Sequence, residues 1–471
     1  MSRDPKRARP LTVVLIVLLI LLMIAATGLV IWLCIDMVKG PAQSAAPTQA
    51  NAVQLPTQTL PTQPPTTVPP TTKPDPVPEH VVATAAVASM GDLLMHKPVF
   101  DTCRVDGGYD FSSIFQYAKD LIASYDYSLA NLETTFGGDG YIYQGNPAFN
   151  CPDQLADAVV DAGYDMLLTA NNHAGDTMGD GILRTVELVR SKGLTALGSQ
   201  LNADEPKYAV VDINGIKIGM VCYTWAFSGN GSTFSLNGLN PVKDEGQMNY
   251  FTNNNPDKLY NELGPILEAM QADGAEATMM FIHWGTEYQT TENAAQRAIA
   301  QKLCDMGIDV IVGGHPHVVQ PVALLESTVD PSHKTVCIYS LGNAVSNQRT
   351  GISDQFPAGY TEDGALFTVT FEKYSDGTVY LAGADVVPTW VNMHSNDGSK
   401  EYNILPLQDG TREQWQDAYN LTDANRSAAE KSYDRTMGIV GEGLEQCRAY
   451  LEQAKADREQ YYYDLAWNQA A

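Results

Sequence analysis

Positive charge is scarce in this 471-residue chain, where 29 Lys and Arg stand against 55 Asp and Glu for a formal charge of -26 at pH 7. A field of that sign repels polyphosphate and anionic lipid surfaces, so no nucleic-acid partner is expected. An anionic substrate stays open, because a bound dication reverses the local potential. Cysteine is sparse as well. The seven cysteines form no CxxC pair, which removes thiolate zinc sites. Cys222, Cys304 and Cys337 lie in apolar runs and read as small buried hydrophobes. Cys103 and Cys151 flank polar, turn-rich stretches and are the pair expected to form a disulfide after export. Repeats at solenoid spacing and sustained heptads are absent too.

Charge is also missing from residues 11–34, an apolar run long enough to span a bilayer, for which about twenty residues suffice. Arg3, Lys6, Arg7 and Arg9 precede it and would stay in the cytoplasm, sending the remainder outward. A cleaved signal peptide, with the small residues 42–46 as its cleavage site, is the competing reading, but such peptides carry an apolar region of only about 7–15 residues. A retained anchor is predicted. Residues 40–80 turn to Pro, Thr, Gln and Ala, too polar to offset the entropy of ordering. Pro64, Pro65, Pro69 and Pro70 bias this segment toward an extended stalk. The expected organisation is a basic tail and transmembrane helix over 1–39, a linker over 40–80, a main domain over 81–395 and a helical C-terminal extension over 396–471.

Within the main domain short apolar runs alternate with segments of helical period, the pattern of α/β architecture. Strands are predicted at 83–89, 127–130, 166–169, 216–222, 278–282, 310–312 and 336–339, and helices at 154–162, 181–192, 257–272 and 293–306. Pro256 suits the first turn of the third helix. Residues 365–371 and 379–387 read as an antiparallel pair turning through Ser375, Asp376 and Gly377. The charged, aromatic-rich tail over 421–467 has helical spacing.

Five strand-like runs end in residues of metal-ligand type, and they do so in order along the chain. These ends are Gly91-Asp92, Asn131-Leu132-Glu133, Asn171-Asn172-His173, His283-Trp284-Gly285 and Gly313-Gly314-His315-Pro316-His317. In open α/β sheets ligands gather beyond the carboxyl ends of strands, where residues distant in sequence converge. Asp92, Glu133, Asn172, His283, His315 and His317 would then offer a mixed nitrogen and oxygen donor set that suits zinc, manganese or iron. Six donors exceed the need of one tetrahedral ion. Two divalent ions about 3.5–4 Å apart would use them all, with Glu133 as the bridge. His315 and His317, two apart in an extended loop, would point to one side, and Gly313 and Gly314 would permit close backbone approach. His173 is left for proton donation to a leaving oxygen, a task for the side chain that titrates near neutral pH, with Asp176 to orient its ring. Singly, each residue has a plainer reading as a cap, a turn or a satisfied core histidine. Their joint placement at strand ends carries the metal-site expectation.

The segments GDLLMH, NLETTF, TANNHAGDTMGDGI, IHWGTEY, GGHPHVVQP and YSLGNAV resemble the successive motifs of the poly-γ-glutamate capsule synthesis family CapA, over about residues 81–387. That family is similar in turn to the calcineurin-like metallophosphoesterases, which implies a four-layer αββα sandwich around a dinuclear metal site. The resemblance places Asp92, Glu133, Asn172, His283, His315 and His317 on metal-ligand positions and His173 on the catalytic histidine. It departs from the wider pattern at two points. The usual Asp-x-His opening is replaced by His96 four residues after Asp92, and Glu133 stands where an Asp is usual. Asn343 and Glu287 are further substrate-contacting or supporting residues by the same resemblance.

The function so implied is that of a metal-dependent hydrolase of phosphoryl or acyl centres, anchored in the cell membrane with its main domain extracellular. It would work in synthesis, export or attachment of an anionic polymer such as poly-γ-glutamate, with membrane subunits of a polymer synthase as partners. Two alternatives differ in kind: a metal-containing tethering subunit without turnover, and an extracellular phosphodiesterase or nucleotidase acting on phosphoesters.

Overall fold

The computed structural model describes residues 77–238, 241–252, 256–396 and 399–470. The apolar run 11–34, its basic flank and most of the proline-rich segment lie outside the described residues. Among the described residues no helix is long and apolar enough to cross a membrane.

Fifteen strands build two large sheets. In sheet 1, β1 (Val81–Leu93), β2 (Tyr127–Asn131), β3 (Met166–Leu168) and β4 (Thr195–Leu197) run parallel. In sheet 2 the parallel strands are β6 (Ile216–Ala226), β7 (Tyr250–Thr252), β8 (Ala277–His283), β9 (Val310–Gly314) and β11 (Lys334–Ile338), with β5 (Tyr208–Ile213) and β10 (Val322–Glu326) antiparallel on its edges. Sheet 1 is completed by β12 (Asn343–Val345) beside the end of β1 and by the antiparallel β13 (Asp363–Tyr374), β14 (Val379–Asn396) and β15 (Ser399–Pro406).

The central parallel strands are apolar on both faces, as strands covered on both sides must be. Along β8, Ala277, Met279 and Phe281 enter a core shared with Ala85, Val87 and Leu129 of sheet 1, while Met280 and Ile282 face the other way. Successive strand residues alternate in direction, so each sheet feeds two apolar layers. The outer face of sheet 1 is covered by α1 (Lys97–Thr102), α2 (Gln154–Asp161) and α3 (Met178–Ser191), through Val99, Leu155, Val159 and Val186. The outer face of sheet 2 is covered by α4 (Asp257–Ala272) and α5 (Ala294–Asp305). Leu259, Leu263, Leu267 and Met270 form the inward stripe of α4, and Pro256 stands at its N-cap. Asn293 and Gln296 close a reciprocal capping box on α5. The result is a mixed α/β fold.

Every strand and helix predicted from periodicity is present, and the hairpin turns through Asp376 and Gly377 as expected. Strands β4, β5, β7, β10, β12 and β15 had no counterpart in the prediction. All but β15 are short or half-exposed, and β5 illustrates the case, with four of its six positions only partly buried. The sheet also continues past residue 395, where the sequence had placed the start of a helical extension, because β15 pairs with β14 from Thr389 opposite Pro406 onward.

The expected disulfide is not formed. Cys103 and Cys151 are both free and buried in the apolar layer outside sheet 1. They fill that layer as small hydrophobes, and burial pushes the Cys103 thiol up to about 12.

The tail is one long helix, α6 (Asp423–Ala470), and it packs into the fold. Val440, Leu444, Cys447 and Leu451 join the core between the sheets, and Lys455 pairs with Glu372 at 2.7 Å. A Cβ at Gly443 would stand 1.7 Å from the Val322 carbonyl oxygen of β10. Helix propensity alone would make Gly443→Ala stabilising by about 1 kcal/mol. The close approach reverses the sign, and Gly443→Ala is expected to destabilise by about 1–3 kcal/mol, read as a lower denaturant midpoint. A gain in stability would mean that α6 does not dock on β10.

Candidate metal centre

Strands β1, β2 and β3 of sheet 1 and β8 and β9 of sheet 2 deliver their carboxyl ends to one buried locus. The backbone there is tightly constrained. A Cβ at Gly313 would lie 2.0 Å from the Tyr339 carbonyl oxygen, and one at Gly314 would lie 3.3 Å from Asp92 Oδ1. Past these glycines the loop is not extended, as had been expected from the spacing of the two histidines. His315 and His317 both take positive φ, +98° and +56°. Side chains rarely adopt that conformation, and it concentrates where surrounding structure fixes a functional geometry.

Two three-residue groups result, each with donor atoms within 4.8 Å of one another: Glu133 with His283 and His315, and Asp92 with Glu133 and His317. Glu133 belongs to both. His283 Nε2 lies 3.5 Å and His317 Nε2 3.7 Å from Glu133 Oε1, while His317 Nδ1 is 3.1 Å from Asp92 Oδ2. Asn172 Oδ1 faces His283 Nε2 at 2.9 Å. Every one of these side chains is buried.

The electrostatics are those of a site short of positive charge. Asp92 and Glu133 are buried together, and among the described residues their ion-pair partners are histidines, with no lysine or arginine. Burial, then the charge of Asp92, pushes the Glu133 carboxyl well above the usual range. Burial would raise Asp92 too, but the His317 hydrogen bond and the neighbouring imidazoles hold it below its ordinary value. Burial brings His283 down to about 3 and lowers His315 well below the usual value, so both rings are neutral and keep a lone pair to offer. Glu133 Oε1 and His315 Nδ1 are buried without a hydrogen-bond partner. An orphaned buried acceptor is costly, and a divalent ion would satisfy both atoms and the excess negative charge at once. The donor set fits the group it was expected to hold.

Beside this cluster, His173 Nδ1 meets Asp176 Oδ2 at 2.7 Å, and the same oxygen accepts the Phe149 amide at 2.6 Å. Phe149 packs its ring edge-on to His173 at 4.5 Å and to His96 at 5.1 Å. His96 belongs to neither three-residue group. Its Nδ1 lies 3.3 Å from the Leu94 carbonyl oxygen and accepts from the Asn347 amide at the same distance, and burial lowers its pKa to about 3. Asn343 Oδ1 reaches His317 Nδ1 at 3.2 Å. Glu287 is exposed at the rim, where its charge is felt by Glu133.

The profile described as bacterial capsule synthesis protein PGA_cap matches residues 86–348. The chain belongs to this family. Among curated proteins it is 27% identical over 305 residues to the capsule biosynthesis protein CapA of Bacillus anthracis, covering 64% of this chain and 66% of that one. It is 27% identical over 324 residues to the PGA biosynthesis protein CapA of Bacillus subtilis (strain 168), covering 67% and 75%. The chain thus spans about two thirds to three quarters of the length of these relatives. Among solved structures it is similar to the NAD nucleotidase NadN of Haemophilus influenzae, with TM-score 0.38 and 11% identity over 80% of this chain and 68% of that one. A second is TT1561 of Thermus thermophilus, with TM-score 0.31 and 8% identity over 60% and 93%.

The PGA_cap match contains Asp92, Glu133, Asn172, His173, His283, His315, His317 and Asn343, and it ends before β13 begins. The whole cluster is therefore built from the family segment, whereas β13 to β15 and α6 lie beyond it. Inside the segment the structure adds residues that sequence reasoning missed. Asn131 Nδ2 donates to Asp92 Oδ1 at 2.7 Å and to Glu133 Oε2 at 3.3 Å, holding the two carboxylates together. Its place two residues before Glu133, on the same face of an extended chain, was a usable signal. Trp225 packs its ring against His315 at 5.4 Å, and Asn237 Nδ2 lies 3.2 Å from His173 Nδ1. Both come from the β6 end and the loop after it, where no motif marks them.

Proposed function

We propose that this PGA_cap protein acts in the synthesis, export or attachment of an anionic surface polymer such as poly-γ-glutamate, as a metal-dependent hydrolase. On this reading the layered fold is an αββα sandwich of metallophosphoesterase type. The apolar run 11–34 anchors it in the cell membrane with the main domain outside, beside membrane subunits of a polymer synthase. The names of the two Bacillus relatives support the capsule role. The observation that carries the chemistry is Glu133, buried, shared by two three-residue groups and left with an unpartnered oxygen.

Asp92, Glu133, Asn172, His283, His315 and His317 would hold two divalent ions, Mn, Fe or Zn by their mixed donor set. Bound there, such ions supply Lewis acidity toward a phosphoryl or acyl oxygen and make water a competent nucleophile at neutral pH. The chain's own part is positional. Asn131 fixes the two carboxylates, burial keeps the His283 and His315 imidazoles neutral, and His173, its ring held by Asp176, gives a proton to the departing oxygen.

Full-length protein purified without chelator is expected to carry about two equivalents of divalent metal by mass spectrometry, lost in the His315→Ala plus His317→Ala double variant. His173→Ala should keep its metal and lose at least about a hundredfold in hydrolysis of a phosphodiester or of poly-γ-glutamate. Bound metal without turnover in the wild type would favour a tethering subunit. No metal in either protein would remove the basis of the proposal.

A further inference from the structure

A second cavity lies at the other end of sheet 2. It has a volume of about 470 Å³ and is bounded by the residues that lead into β8, β9 and β11, by the turn joining β13 to β14, and by one face of α6. The metal-type cluster sits at the carboxyl ends of these same strands. With a rise of about 3.3 Å per residue, the seven-residue β8 separates the two by roughly 20 Å.

Arg458 of α6 lines this cavity and is 5% exposed. Its guanidinium lies over the Tyr380 ring at 3.4 Å and near the Tyr374 ring at 5.5 Å. Nε and Nη1 are buried and have no hydrogen-bond partner. A buried guanidinium without an acceptor is strongly disfavoured, and stacking on a ring leaves its N–H edges unsatisfied. The acidic groups in the same wall are already engaged. Glu276 pairs with Lys373 at 2.7 Å, Asp309 accepts the Thr278 amide at 2.8 Å, Asp305 accepts the Thr328 amide at 2.7 Å, and Asp330 accepts the Ser332 amide at 3.1 Å. Lys334 pairs with Glu326. The charge left open in the cavity is that of Arg458.

We propose that this cavity is a second binding site, for a small organic monocarboxylate whose carboxylate takes the Arg458 guanidinium. Three observations select that class. A volume of a few hundred cubic ångströms is that of a small-molecule pocket. Leu324, Val336, Leu381 and Tyr450 give the cavity an apolar wall for a hydrocarbon body. The carboxylates of Glu276, Asp305, Asp309 and Asp330 repel a polyanion, so one negative charge is favoured over several. The N–H groups of the guanidinium also donate charge-assisted hydrogen bonds to a carboxylate.

The test is calorimetric titration of the full-length protein in detergent micelles with sodium benzoate, and with benzamide as the uncharged isostere. Saturable one-to-one benzoate binding is expected. Benzamide and the Arg458→Gln variant should each weaken it by at least about tenfold, the loss of one charge-assisted pair. Val329 stands on the rim and is 65% exposed. Val329→Trp therefore narrows the entrance with the core untouched and should also abolish binding, which keeps the test valid if Arg458→Gln unfolds. The His315→Ala plus His317→Ala variant should bind benzoate as the wild type does. Absence of saturable binding, equal binding by Arg458→Gln and wild type, equal binding of benzamide, undiminished binding by Val329→Trp, or loss of binding in the histidine double variant would each overturn the proposal.

Discussion

Glu133→Gln is expected to empty both halves of the candidate metal centre at once, although the substitution alters one atom of one side chain. Each three-residue group includes Glu133, so each loses a charged ligand when the carboxylate becomes an amide: the His283/His315 group keeps no carboxylate and the His317 group keeps only Asp92. Outer residues that merely orient metal ligands are worth about 10–100-fold in affinity, and a shared charged ligand should exceed that. Metal content should fall from about two equivalents toward none, measured by mass spectrometry after dialysis. The stability change should reverse sign with metal. In chelator the wild type keeps two buried carboxylates bridged by Asn131, and Glu133→Gln removes one of the like charges, so the variant should unfold at higher denaturant than the wild type. With metal present the wild type should be the more stable, by the binding energy the variant has lost. The pH dependence carries the same signature. The folded-state pKa of Glu133 lies above its unfolded value, so the metal-free native state binds the extra proton and its stability falls as pH rises above the ordinary carboxylate range. Glu133→Gln should remove that fall. Equal stability of the two proteins in both conditions would mean that Glu133 bears no such load.

The site was legible in outline because its donors are attached to the most regular part of the fold. Asp92 and His283 end buried parallel strands, Glu133 and His315 follow them, and such strands announce themselves as short apolar runs whose ends are easily found. Asn172, His173 and Asp176 follow β3 in the same way, and the structure puts the latter two in contact. The manner in which His315 and His317 reach the cluster was not legible, since period-2 spacing predicts an extended loop and the chain instead turns through two left-handed residues. Spacing fixes which residues are near one another, and tertiary constraint fixes the backbone they adopt. Trp225 and Asn237 were invisible for a related reason, because their contacts depend on how one loop folds back over another. The same limit applies to Cys103 and Cys151. Polar, turn-rich flanks suggested a disulfide pair, whereas both residues are free and buried in the apolar layer outside sheet 1.

The joint between α6 and sheet 1 carries the second large effect, and Arg435→Ala is expected to cost about 3–5 kcal/mol in denaturant unfolding. Asp363 opens β13 and is 2% exposed. Its two oxygens take Arg435 through Nη2 at 2.6 Å and Nε at 2.7 Å, and Oδ1 also accepts the Ser432 hydroxyl at 2.6 Å. The pair is unequal, because the Arg435 side chain is 22% exposed and that of Asp363 2%. Removing the arginine leaves a buried carboxylate with one hydroxyl donor. Removing the carboxylate leaves a guanidinium that reaches water, so Asp363→Asn should cost clearly less than Arg435→Ala. The segment thus pinned leads back to the candidate metal centre. Thr361 gives its carbonyl oxygen to Asn343 Nδ2 at 2.9 Å, and Asn343 Oδ1 contacts His317. If α6 holds the 359–364 stretch in place, Arg435→Ala should also loosen metal binding by about tenfold, the low end for a supporting residue, with the donors themselves intact. An arginine variant that unfolds like the wild type would mean that the apolar contacts of Val440, Leu444, Cys447 and Leu451 hold α6 without the ion pair. A variant destabilised as expected, yet with unchanged metal affinity, would confine the role of the pair to anchoring the helix.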